Sequence, residues 1–327
     1  MKRVLVLYSP YTPGGRKPDV VVLQVSRALV RLGHLPVPLP VPLEIDALVD
    51  GIRKSAPDVV FNLCEEFRGD GKQEARVAAV LELIGIPFTG NPSIGLALAL
   101  DKALSKKLYE YHNIAYPEFA VFTREKPDLV GGHLNFPLFV KPMRSDASLS
   151  IGDVSFVKKS EDLRTRVREL LRSTKDAVLA EEYIPGREIY AGVLFDRVLP
   201  LLEVDFTGLP ARKLHIMGRA AKFYRNSAAY KGTQVKPARN ISAGLRRKIE
   251  HTAREACRAC QVRSYARVDV RVNEFDEPFV IEVNPNPYLE IRSEFAHAAR
   301  LAGLKYVPLI GKLLDEALKT GQTVRIF

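Results

Sequence analysis

The chain has 327 residues, is 46% hydrophobic and 27% charged, and carries a net charge of +11 from 49 Lys and Arg against 38 Asp and Glu. This composition is that of a soluble globular protein long enough for two or three domains, with no apolar run near the roughly 18 residues of a membrane span. Three cysteines form no disulfide framework, which suggests a cytoplasmic, reduced chain. The basic residues are spread along the whole length without an aromatic-interleaved tract. They favour a basic cleft for phosphate-bearing ligands over a nucleic-acid surface.

Arg3 to Tyr8 reads as a buried first strand, too short for a signal segment. An amphipathic helix follows over Val20 to Leu32, then a strand over Leu35 to Val41, a helix over about Leu43 to Lys54 and a strand over Val59 to Leu63. Gln73 to Ile84 is a further helix, stopped at Gly85. This β-α-β-α-β-α order predicts a doubly wound parallel sheet. Functional loops in such sheets lie beyond the carboxyl ends of the strands, here residues 9–19 and Cys64 to Lys72. The first loop lacks the G-x-G-x-x-G dinucleotide fingerprint. Asp19 stands just before a helix, where it reads as an N-cap or a ligand contact.

Residues 93–112 read as one helix containing Lys102. Phe136 to Pro142 is a strand that ends in Lys141, and Asp146 to Gly152 is a loop of small residues. A lysine fixed by a strand beside such a loop suits a phosphate cradle, since backbone N–H groups can approach oxygens there. Lys102 and Lys222 are candidate further phosphate contacts or solvated surface lysines. Glu161 to Ser173 is a charged helix, and Val178 to Ile184 a strand broken at Pro185-Gly186. The end of that strand, Glu181-Glu182-Tyr183-Ile184, could offer backbone amides to an adenine edge, and Glu188 could accept from ribose hydroxyls.

Tyr265 to Pro287 reads as a β-hairpin. With its turn centred between Phe275 and Asp276, Asp269 lies opposite Glu282 and Arg267 opposite Asn284. Opposed side chains share a face with Cβ atoms ~5 Å apart, so the two acids repel unless a cation sits between them. Asp269, Glu282 and Asn284 offer only oxygen ligands, the set a hard divalent ion selects. Two solvated acids on an exposed face are the other reading. Cys257 and Cys260 form a C-x-x-C inside a helical pattern, Leu245 to Gln261, which favours helix packing over zinc.

In this order and spacing the segments Leu81 to Gly90, Leu100-Asp-Lys102, Phe136 to Pro142, Glu181 to Glu188, Ala266 to Val270 and Ile281 to Asn284 resemble the ATP-grasp superfamily, and within it the D-alanine–D-alanine ligase group. The resemblance runs nearly end to end. It implies an ATP-grasp fold, α/β and α+β, with an N-terminal α/β domain at 1–100, a central ATP-grasp subdomain at 101–186 and a C-terminal one at 187–327. It implies an ATP-dependent carboxylate–amine ligase that forms an acyl phosphate, then an amide, and releases ADP and phosphate. A kinase on the same fold and a non-catalytic nucleotide-binding protein are the alternatives.

By the same resemblance Lys102, Lys141 and Lys222 hold ATP phosphates, Ser148 lies on the covering loop, and Glu181, Glu182, Tyr183, Ile184 and Glu188 form the adenine and ribose site. Asp269, Glu282 and Asn284 would hold two Mg²⁺ ions, with Mn²⁺ able to substitute. Arg267 would stabilise the tetrahedral intermediate, with Lys222 as the second catalytic residue. Asp19, Tyr288 and Ser293 are the implied substrate contacts. The partners implied are a small-molecule carboxylate and an amine, not nucleic acid or membrane, and a homodimer is compatible with this. The chain departs from the group's pattern at Ser145 to Ser148, at Phe223, and at Pro287 to Glu290, where Tyr288 stands in place of a glycine. These departures bear on the substrate rather than on ATP, and Glu290 suits a cationic partner.

Overall fold

The computed structural model describes residues 1–10, 18–127, 134–144, 152–174, 176–210, 214–224 and 226–323. The first region alternates β1 (Arg3–Tyr8), α1 (Val20–Arg31), β2 (Leu35–Pro40), α2 (Ile45–Ser55), β3 (Val59–Leu63) and α3 (Glu74–Ile84). Its three strands form a parallel sheet in the order β2-β1-β3. Asp19 starts α1 by accepting a hydrogen bond from the Val21 amide, and Val21, Val22, Val25, Ala28 and Leu29 form the buried stripe. In β2 the Leu35 amide donates to Lys2 O. Strand alternation therefore turns Pro36, Pro38 and Pro40 toward the free edge, where their missing N–H groups blunt pairing by another chain. Gly85 ends α3 in the left-handed conformation, at φ 73°.

Two helices follow rather than the single one expected, α4 (Ser93–Leu100) and α5 (Lys102–Tyr111). Asp101 breaks the run: its backbone is extended and its side chain caps α5 by accepting from the Leu104 amide. The break makes Lys102 the first residue of a new helix, buried at its N-terminus.

The central region contains β4 (Phe119–Phe122), β5 (Leu138–Pro142), β6 (Phe156–Val157), α6 (Ser160–Ser173) and β7 (Val178–Glu182). Its antiparallel sheet has the order β4-β7-β5-β6. The third region contains β8 (Arg187–Leu194), β9 (Arg197–Val198), β10 (Leu202–Asp205), α7 (Arg219–Phe223), α8 (Ala228–Gly232), β11 (Gln234–Pro237), α9 (Ala243–Ala259), β12 (Tyr265–Val272), β13 (Pro278–Asn284), α10 (Glu294–Leu301) and α11 (Tyr306–Thr323). Its sheet runs β11-β10-β8-β12-β13, with β9 on β8.

The three sheets are built from three successive stretches of the chain, but the cores do not follow it. The last helix, α11, packs against α1 and β3. Val4, Val25 and Phe61 share one core with Tyr265, Phe295 and Leu313. Asn91, 2% exposed, binds the first region to the hairpin. Its Nδ2 donates to Tyr265 O and Pro285 O at 2.7 and 2.6 Å, and its Oδ1 accepts from the Arg263 and Ser264 amides, both at 2.8 Å. A buried amide with all these bonds made is worth keeping; one left short would cost ~1–3 kcal/mol.

Candidate active site

Strand parity builds the site. On β12, Ala266, Val268, Val270 and Val272 enter the core beneath the sheet, as Ile189, Ala191 and Val193 do from β8. The alternate residues Arg267, Asp269 and Arg271, with Glu188 and Tyr190, stand on the other face. Asp269 is opposite Tyr190, and Arg271 opposite Glu188.

The hairpin pairs Asp269 with Glu282 and Arg267 with Asn284, as expected, but by a different route. Its turn is centred on Phe275, since Val270 pairs with Val280 and Arg271 with Phe279. A β-bulge next to Asp269 then inserts one residue and restores the expected opposition. The consequence is chemical. Val280 and Val283 both enter the core, while Ile281 and Glu282 between them both line the pocket. Unbulged alternation would have turned Glu282 into the apolar core.

The pocket, of about 710 Å³ including its open mouth, brings together Lys141, Glu181, Glu182, Tyr183, Ile184, Glu188, Lys222, Asp269 and Glu282. Lys102 joins it through an ion pair of 3.3 Å to Glu282. Arg267 joins it through Asp269, donating from Nε at 2.7 Å and from Nη2 at 3.0 Å, one bond to each carboxylate oxygen. Its guanidinium also lies 4.4 Å from the centre of the Tyr190 ring. Asn284 accepts from the Asn286 amide at 2.9 Å. Asn286 in turn donates to Cys64 O and Glu74, tying the hairpin end to the loop after β3.

The two acids differ electrostatically. Burial pushes the Glu282 carboxyl up, but the ammonium groups of Lys102, Lys141 and Lys222 outweigh it and hold it down at about 2. For Asp269 burial wins, and its pKa rises despite the Arg267 guanidinium. Glu188 is raised in the same way, with Arg271 opposing.

Lys141 donates to Glu181 Oε1 at 2.5 Å, and Lys106 lies 3.2 Å from Oε2. All three side chains are within 4% of full burial. At the other end, the amides of Glu182 and Tyr183 donate to Glu118 O and Pro137 O. They are not free for an adenine edge, which corrects the expected use of these two amides. The Glu182 carboxylate accepts from the Asn135 amide and side chain. Ser148 and most of the Asp146–Gly152 loop lie outside the described residues.

The substrate candidates form a separate group. Tyr288 OH donates to Asp19 Oδ1, the same oxygen that caps α1. Ser293 caps α10 by accepting from the Ala296 amide. Glu290 is engaged on both oxygens, by Gln24 and by the Arg292 amide. These two bonds make it a brace of the loop. Cys257 and Cys260 are buried in the core beside Ile249 and Val268.

Residues missed from sequence are Arg271, Tyr190, Phe139, Ile281, Ile216 and Met217, all lining the pocket, and Lys106. Parity could have found three of them, because Arg271, Tyr190 and Phe139 stand two residues from Asp269, Glu188 and Lys141; Ile281 reaches the pocket only through the bulge, which breaks parity. Lys106 is one helical turn after Lys102. Ile216 and Met217 lie in an irregular segment with no period to read.

Residues 104–315 match the family model for the D-ala D-ala ligase C-terminus. The chain belongs to the D-alanine–D-alanine ligase family. A D-alanine–D-alanine ligase of Nitrosococcus oceani is 31% identical over 77% of this chain and 75% of its own length. An uncharacterized protein of Sinorhizobium fredii is 34% identical over 79% and 74%. In fold, the ATP-complexed D-alanine–D-alanine ligase of Bacillus anthracis superposes with a TM-score of 0.77 at 22% identity, covering 99% of both chains. The ligase is thus an ATP-grasp enzyme of the carboxylate–amine class, and its substrates are small molecules. Among its described residues no helix is long and apolar enough to cross a membrane.

Proposed function

We propose that this ligase phosphorylates the carboxylate of an amino acid with ATP and passes the acyl group to the amine of a second substrate, releasing ADP and phosphate. The observation that carries this reading is the convergence of Lys102, Lys141 and Lys222 on the face that holds Asp269 and Glu282. The base and ribose would lie along Tyr183, Ile184 and Glu188, and the phosphates toward the lysines.

Asp269, Glu282 and Asn284 fit Mg²⁺. They are oxygen donors only, and register places Asp269 against Glu282. Each Asp269 oxygen accepts one bond from Arg267 and keeps a further lone pair. A bound Mg²⁺ would screen charge on the phosphates during transfer. The lysines orient the polyphosphate and neutralise charge that grows as the γ-phosphoryl group leaves. Arg267, held flat by Asp269 and Tyr190, would donate to the oxyanion formed when the amine attacks. Tyr288 and Asp19 would border the amino-acid end. We further propose a cytoplasmic location and a homodimer, the latter open to sedimentation analysis.

Incubation with ATP, Mg²⁺ and pools of D- and L-amino acids should yield ADP, phosphate and a ligated product detected by mass spectrometry. Release of AMP and pyrophosphate would refute the acyl-phosphate chemistry. A stable phosphorylated compound formed without any amine would point to a kinase.

A further inference from the structure

Arg271 is 5% exposed and lines the nucleotide pocket, yet it touches neither the lysines nor the paired acids. Its planar fork spends four donor contacts on three separate segments. Nε donates to Ile184 O at 3.0 Å, and Nη2 to Tyr183 OH at 2.9 Å, both just beyond β7. Nη1 donates to Glu188 Oε2 on β8 at 3.2 Å and to His215 O at 3.1 Å. The other Glu188 oxygen accepts from Tyr190 OH at 3.3 Å. A carboxylate oxygen carries about two lone-pair sites. Held once on each oxygen, Glu188 keeps one site on each, a spacing suited to two vicinal hydroxyls.

Stability alone is a poor reason for this arrangement. A buried Arg–Glu pair is often matched or bettered by apolar residues of the same volume. A fork that fixes carboxylate orientation is a better use of arginine, which a lysine point charge cannot reproduce. We infer that Arg271 is a positioning residue for ATP: it sets the Glu188 carboxylate to receive both ribose hydroxyls and pins the 183–184 and 215–217 walls around the nucleoside. The inference rests on the ligase reading above and adds to it a residue and a task.

Calorimetric titration with Mg²⁺ and ATP, 2′,3′-dideoxy-ATP or tripolyphosphate tests it without knowledge of the other substrates. Wild-type protein should prefer ATP to the dideoxy nucleotide by about tenfold or more, the scale of hydrogen bonds to a charged group. Arg271→Met keeps the volume and removes the fork. It should bring that ratio below about twofold while tripolyphosphate, which reaches only the lysine end, binds as before. Arg271→Lys should restore little of the preference. An unchanged ratio in Arg271→Met, or a parallel loss of tripolyphosphate binding, would overturn the role. So would wild-type protein that binds both nucleotides equally, or the unfolding of both variants. Wild-type protein that binds no ATP at all would instead remove the ligase reading beneath it.

Discussion

Removing the charge of Glu181 should cost far more than removing that of Lys106, although the two form one ion pair. Glu181 is the hub: it accepts an aligned hydrogen bond from Lys141 at 2.5 Å and has the Lys106 ammonium at 3.2 Å without hydrogen-bond alignment. Burial works against both charges, raising the Glu181 carboxyl and lowering the Lys106 ammonium. The two lysines together nevertheless hold Glu181 below its usual range, whereas one glutamate leaves Lys106 lowered. Glu181→Gln leaves two ammonium groups in a buried site without their bonded counter-charge, with only Glu282, already shared with Lys102 and Lys222, acting on Lys141. Breaking a buried pair from one side costs roughly 3–5 kcal/mol, so the melting temperature should fall by about 6 °C or more.

Lys106→Met, by contrast, removes a buried cation that makes no aligned bond and leaves Glu181 paired with Lys141. Its cost should stay below about 1 kcal/mol, and it could stabilise, because an apolar chain replaces a desolvated charge. Thermal unfolding followed by circular dichroism at pH 7 separates the two. Equal losses from both substitutions would refute the hub reasoning, as would a Glu181→Gln protein of wild-type stability.

Arg267→Gln should lower turnover by about 10²–10³-fold while leaving the KM for ATP nearly unmoved, since the lost donor acts on the oxyanion; steady-state kinetics on the ligated product would show it. Glu282 has a folded pKa depressed to about 2 from 4.5. Its stabilising contribution is present above about pH 4.5 and disappears as pH falls toward 2. In Lys102→Met the folded pKa rises, so the contribution should be smaller and its loss complete at a higher pH, visible in melting temperatures measured from pH 6 downward. Gly186→Ala should destabilise by about 3 kcal/mol or more, because φ is +124° and a Cβ would lie 2.1 Å from Val272 O; denaturant titration would measure it. Cys64, Cys257 and Cys260 are buried, and burial raises the Cys64 thiol to about 12. The native protein should therefore leave Ellman's reagent nearly uncoloured, with all three thiols reacting after unfolding.

Period and punctuation made most of the fold legible in the sequence. The alternation of β1 through α3, the stop at Gly85 and the run of valines on β12 each announce themselves within a few residues. What stayed hidden has no local period. Asp101 interrupts a run of good helix formers because its side chain can cap the helix that follows, and either outcome satisfies a 3.6-residue pattern. The partners of Glu181 come from α5 and β5, 75 and 40 positions away by residue number. Only folding reveals that Lys106 shares this carboxylate with Lys141. Ser293, Asp19 and Glu290 are legible as polar residues at helix starts and loops, but their cap and brace bonds follow from the path of the backbone around them.

The bulge beside Asp269 shows why pairing and orientation are separate problems. A turn one half-residue away from its true centre still yields the pairs 269–282 and 267–284, because the inserted residue compensates. Opposition alone, however, does not decide which way a carboxylate points. In β13 the core takes Val280 and Val283, an odd spacing of three that regular alternation cannot produce. That spacing is written in the sequence as Val-Ile-Glu-Val, with two apolar residues before the acid. Had Ile281 been absent, Val280 would adjoin Glu282 and the strand would alternate without a bulge. The cation-loaded face would then lose the apolar Ile281 from its lining while retaining Glu282. Ile281 therefore belongs to the pocket wall as well as to the strand, and the acid that four cations hold ionised stands beside an apolar surface on the same short segment. The inserted residue thus adds an apolar side chain to the pocket wall without moving the acid beside it off that face.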